Sequence, residues 1–181
     1  MSRQSNKSAL GAVIGFIAGV VATGPMTVAM ILWHRSLPMQ ERYPLPPREI
    51  TMKLAQATGL SEVMSAEMRS AATLAAHFGY GGGAGALYGA IADEIPGPAV
   101  GKGIAAGLLL WTISYFGLMP GAGILKQVTG HPTRRNVLMI AAHVVWGAAL
   151  GLVTELLRDE TTGAGAKPFS MNWLPQRDRK R

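Results

Sequence analysis

AAHFGYGGGAG at 75–85 and AAHVVWGAALG at 141–151 decide the fold. Each stretch sets a histidine (His77, His143), an aromatic (Tyr80, Trp146) and two glycines (Gly81 and Gly85, Gly147 and Gly151) at i, i+3, i+4 and i+8. Those positions share one face of a helix. A histidine is costly in hydrocarbon, so two at matching places in membrane-length apolar runs point to a duplicated unit with paired interior positions.

Working outward, four apolar runs appear: about 10–32, 71–92, 99–119 and 137–157. A helix needs about 20 residues to cross the hydrocarbon core, and all four qualify. The third tolerates Lys102 only because a lysine near a helix end snorkels to the interface. The first is too long for the core of a signal peptide and reads as a retained helix, with a kink expected at Gly24-Pro25. The chain therefore divides into a basic segment 1–9, a four-span transmembrane domain 10–160 and a flexible basic tail 161–181.

Composition supports this division. Charged residues make up 15% of the chain, against roughly 25% in a soluble domain, and there are 23 glycines among 181 residues. Few charges with many small residues fit helices packed closely in lipid. No cysteine is present, which excludes disulfides and cysteine-ligated metal. The net charge of +7 is unevenly spread: Arg158, Lys167, Arg177, Arg179, Lys180 and Arg181 lie in the last 24 positions, against Asp159, Glu160 and Asp178. Topology and contact with anionic lipid account for it better than nucleic-acid binding. Positive charge flanks the start of the first helix and the end of the last, which places both termini in the cytoplasm.

The segment 33–70 is long for a connector. Pro38, Pro44, Pro46 and Pro47 keep its first part extended, and Ile50, Leu54 and Ala57 then recur at helical spacing among polar residues. This pattern predicts a short amphipathic helix at the membrane surface, ended by Gly59, with Ser61 available to cap the next helix.

All four runs carry glycines four apart: Gly11-Gly15-Gly19, Gly81-Gly85-Gly89, Gly103-Gly107 and Gly147-Gly151. Such spacing lets another helix dock closely. Internal packing of a four-helix bundle is the plain reading; a homo-oligomer built through the same faces is the alternative. A two-span hairpin occurring twice gives offsets of 88 (Gly15 to Gly103) and 66 (His77 to His143), and it places both histidines at equal depth.

His77, His143, Tyr80 and Trp146 form the candidate in-membrane polar site. Neutral histidines can bond a neighbouring helix, pass protons or ions, or ligate a haem iron in pairs. The residues themselves call for no cofactor and no metal. His34 and His131 read as surface groups, and Glu155 reads as an ion-pair partner of Arg158. Tyr88, Trp111, Thr112, Ser114 and Tyr115 are further cavity candidates. No enzyme motif finds its context: the glycines at 79–85 lie inside a span, with no preceding strand and no following Lys-Ser/Thr.

In order along the chain come His77-x-x-Tyr80-Gly81, Asp93-Glu94-Ile95-Pro96, Gly103-x-x-Ala106-Gly107, Gly117-Leu118-Met119-Pro120, Ala142-His143-Val144-Val145-Trp146-Gly147 and Glu155-x-x-Arg158-Asp159. The set resembles the YagU-like group of uncharacterised bacterial inner-membrane proteins, over about residues 75–160 and more loosely the first span. Segment 33–70 departs from the group's pattern. The resemblance implies four spans in a bacterial cytoplasmic membrane, with a role in envelope or acid-stress physiology, and supplies no catalytic residue. The expectation is an all-α, multi-pass, non-enzymatic membrane protein of two tandem hairpins. A proton or ion channel using the histidines is the alternative, and a haem-binding electron carrier is the third reading.

Overall fold

A computed structural model describes residues 3–121, 123 and 130–161, and among them every regular element is helical. The basic tail after Thr161, with the lipid contact expected of it, lies outside the described residues. Helix α1 spans Arg3–Arg35, α2 Pro46–Ala57 and α3 Ala66–Ile91. Helix α4 spans Ala99–Thr112 and passes into a π-helical stretch, Ile113–Leu118. Helix α5 spans Thr133–Thr161.

Local chemistry sets these limits. Pro46 occupies the first turn of α2, where its missing N–H is no loss. Gly59, at φ 72°, stops the chain just beyond α2 in a conformation open to glycine. Ser65 caps α3 by accepting from the Met68 amide at 3.3 Å. Gly97, at φ 115° between two prolines, turns the chain into α4. Helix α1 continues through Pro25. Beside it, the Thr23 and Thr27 hydroxyls bond back to the Gly19 and Thr23 carbonyls at 2.8 and 2.7 Å.

Three stretches, Ser5–Arg35, Ala99–Gly117 and Thr133–Thr161, are long and apolar enough to cross a membrane. Helix α3 is long enough but not in that set, because its glycines, His77, Tyr80 and Tyr88 dilute its hydropathy. Many large apolar side chains face outward, Leu87 of α3 at 75% exposure and Phe116 at 60% among them. A soluble surface would not carry so many, whereas lipid accepts them.

Helix α1 lies along both α3 and α5, and α4 lies along α5; α3 and α4 scarcely meet. The core runs between α1 and α5, where Ala18, Ala22, Ala142 and Leu150 are fully buried. The close contacts are glycine against glycine. A Cβ on Gly15 would fall on Gly85 O, on Gly19 against Gly81 O, and on Gly11 against Gly89 O. In the second pair, Gly103 meets Gly147 O, Gly107 meets His143 O and Gly151 meets Ala99 O. The glycine faces are thus engaged within one chain.

These contacts revise the register of the internal likeness. Gly15 pairs with Gly85 and Gly103 with Gly147, so an offset of 88 between α1 and α4 goes with 147 − 85 = 62 between α3 and α5. The histidine offset is 143 − 77 = 66. By the glycine contacts His143 matches Gly81, and His77 matches Met139. In this register the two histidines are offset by one helical turn and do not occupy equivalent positions of the two pairs.

Candidate functional site

The gap between α3 and α4 is a cavity of about 270 Å³. Its floor is α1 and α5, with Thr23, Met26, Met139 and Trp146; its sides are α3 and α4; its roof is α2, through Pro47, Ile50 and Leu54. Helix α2 does have an apolar side, as the sequence predicts, and that side faces this cavity. Its outer side carries Glu49 and Lys53, 3.8 Å apart.

All four candidate site residues, His77, Tyr80, His143 and Trp146, line the cavity. Trp146 donates its indole N–H to Gly19 O at 3.3 Å, tying α5 to α1. Tyr80 and Ser114 share a hydrogen bond at 2.8 Å, which closes the seam between α3 and α4. His143 Nδ1 lies 2.7 Å from Met139 O. A carbonyl can only accept, so Nδ1 carries the proton and the neutral ring keeps its lone pair on Nε2. Tyr115 sets its ring edge-on to His143, with centroids 6.4 Å apart, and is 5% exposed. Its hydroxyl and His77 Nε2 are buried without a hydrogen-bond partner among the described residues.

Ser114 and Tyr115 sit in the π-helical stretch of α4. Such stretches widen a helix by one residue per turn and recur at functional sites. Nothing in the residue pattern marks this one. Met30 and Met119 complete a methionine-rich wall with Met26 and Met139. Among the described residues no Asp, Glu, Lys or Arg lines the cavity, and no group of three metal-ligating side chains occurs.

Beyond the roof, the loop between α1 and α2 is pinned to the start of α5. Arg135, 3% exposed, donates to Glu41 O and Tyr43 O at 3.3 and 3.0 Å and also to Pro44 O. Its guanidinium lies 3.6 Å from the Tyr43 ring centroid. Tyr43 Oη is 2.6 Å from His131 Nδ1, and His34 Nε2 donates to Tyr43 O at 3.1 Å. His34 and His131 thus belong to this clamp and are not free surface groups. Burial raises the Tyr43 phenol above its ordinary value, and the nearby Arg135 charge partly opposes that rise.

At the opposite end Arg158 reaches past Gly11 to Gly89 O at 2.7 Å and forms an ion pair with Asp93. Its acidic partner comes from the turn after α3, where the sequence reading names Glu155. Lys102 donates to Ala92 O at 3.0 Å on the same turn.

Helices of membrane length around a largely apolar cavity define the class: an all-α protein of membrane character. The chain belongs to the family described as "Protein of unknown function (DUF1440)", whose model matches residues 16–152. That match runs through 33–70, so the loop and its roof helix are part of the family's extent. No curated protein and no solved structure matches the chain.

Proposed function

We propose that this is a four-span protein of the bacterial cytoplasmic membrane that binds a ligand within the bilayer and does not catalyse a reaction. The observation that carries the reading is the roofed cavity, which gathers the candidate polar residues from two helix pairs and is lined by no charged side chain among the described residues. A pocket mostly apolar with a few convergent polar groups is the usual form of a small-molecule site. Helix α3 serves as the fourth span: its outward Leu87 and Ile91 face lipid while its glycines face α1. The pairs α1/α3 and α4/α5 then form two like hairpins, which would supply the four hydrophobic segments of the YagU-like proteins the sequence resembles, with both termini cytoplasmic. Since the glycine faces are used internally, any homo-oligomer forms through another surface.

The absence of cysteine allows a direct test of topology. Single cysteines at Ser5, Glu94 and Thr161 should react with an impermeant maleimide from the cytoplasmic side, and one at Glu49 from the other. Labelling of Ser5Cys and Glu94Cys from opposite sides would remove the four-span reading.

A second reading, proton or ion passage, is favoured by His77 and His143 lining the same cavity. Reconstituted vesicles would then show a pH-dependent flux that falls in the His77→Ala, His143→Ala double variant. Flux unchanged by that variant leaves the histidines outside any path.

A further inference from the structure

We propose that the cavity takes a neutral, hydroxyl-bearing amphiphile from the bilayer, its apolar chain against the methionine wall and its hydroxyl between Tyr115 and His143. The proposal rests on the ligand-binding reading above and names the ligand's chemistry.

The argument begins with the hydrogen-bonding groups left unspent. Thr23, Trp146 and Nδ1 of His143 already donate to backbone carbonyls, and Tyr80 and Ser114 bond each other. What remains is the Tyr115 hydroxyl and His77 Nε2, both buried without a partner among the described residues, and the lone pair that the Nδ1 bond leaves on His143 Nε2, which can only accept. Burying the Tyr115 hydroxyl and His77 Nε2 without partners is unfavourable. A hydroxyl donates once and accepts twice, so one ligand oxygen can donate to His143 and accept from Tyr115. A bare carbonyl cannot donate and would leave His143 unmatched.

Charge narrows the class further. A carboxylate, phosphate or ammonium would enter a low-dielectric site with no opposite charge among the described residues that line it. The ligand is therefore neutral at its buried end. Met26, Met30, Met119 and Met139 give the rest of the cavity an adaptable apolar lining suited to a flexible chain. Its way in is the seam between α3 and α4, which has little packing and is closed by the Tyr80–Ser114 bond.

The test uses the full chain in phosphatidylcholine nanodiscs with three photoreactive diazirine probes: a dodecanol, a dodecanoic acid held ionised at pH 8, and a dodecane. The dodecanol should label Met119 or Met139 saturably, with competition by unlabelled dodecanol. Tyr115→Phe should raise half-saturation about three- to tenfold. That variant's thermal midpoint, measured alongside, should stay near wild type, so weaker labelling is not misfolding. Equal labelling by all three probes, unmoved by Tyr115→Phe, overturns hydroxyl recognition but leaves a binding pocket. Saturable labelling by none overturns both, the buried groups then being satisfied by water alone.

Discussion

The two helix pairs are alike where they are glycine-rich and differ where they enclose the cavity. In each, glycines meet carbonyls of the partner helix at the same spacing, 15 to 85 in α1/α3 and 103 to 147 in α4/α5. Above this seam the match breaks down. With the offsets of 88 and 62, Gly81 stands against His143, Met139 against His77, and Thr73 against Arg135. One level in both pairs carries a helix irregularity of sequence or of main chain: Pro25, inside the continuous α1, corresponds to Ile113, where the π-helical stretch of α4 begins. Proline removes one intrahelical bond and a π stretch displaces several, so regular helix bonding is reduced beside the cavity in both pairs. One half of the molecule is built for close approach, and the other for holding side chains apart.

Matched substitutions at the seam test that likeness most severely. Leucine at Gly15 or at Gly103 must push whole helices apart, since even a Cβ there would lie closer than 3.0 Å to partner backbone. Each should lower stability by on the order of 3 kcal/mol or more, and by similar amounts, in denaturant titrations of detergent-solubilised protein. Gly79→Leu is the control. Nothing lies within 4 Å of that position, and a leucine facing lipid should be tolerated. A seam that accepted leucine in one pair but not the other would end the comparison.

Legibility in the sequence follows the same division. Glycine spacing is a local signal with one physical meaning in an apolar helix, and it located all four faces that pack. The histidines and aromatics of the candidate site were likewise visible, because polar groups are conspicuous in apolar runs. The register was not. Matching Ala-Ala-His to Ala-Ala-His favours the rarest residue, whereas backbone contact is decided by the commonest small one, a turn away. Helix α2 could be read as amphipathic, but periodicity cannot say whether the apolar side meets lipid or protein. Arg135 was missed because an arginine before a span ordinarily marks topology, and its backbone acceptors come from about 90 residues earlier. The π-helical stretch leaves no compositional trace.

The arginines at the two ends of α5 sharpen the contrast by a smaller amount. Arg135→Ala leaves the carbonyls of Glu41, Tyr43 and Pro44 without their donor and removes a cation–π contact. A loss of about 2–3 kcal/mol is expected. Faster proteolytic cleavage between residues 36 and 45 should accompany it, with the roof over the cavity loosened. Arg158→Ala removes an ion pair to Asp93, which is 72% exposed, and one bond to Gly89 O. About 1 kcal/mol is expected there, with no change in cleavage of the 36–45 loop. Equal effects at both ends would show that the clamp on the cavity side adds nothing beyond ordinary helix tethering.

The smallest expected effect concerns Tyr43, the residue through which the first pair's loop is held on Arg135 of the second. Its folded-state pKa is raised, chiefly by burial, above the ordinary tyrosine value of about 10. The folded state therefore holds the phenolic proton more tightly than the unfolded chain does. By linkage, this contribution is fully present below the unfolded value and is lost as pH rises through the folded one. Between about pH 9 and 11, wild type should lose stability slightly faster than Tyr43→Phe, whose ring keeps the contact with Arg135 but cannot ionise. Other tyrosines titrate in both proteins, so the difference between their thermal midpoints isolates this group. A constant difference across that range would mean that Tyr43 is as free to ionise in the clamp as in water. In that case the clamp would owe its hold to the Arg135 donors alone.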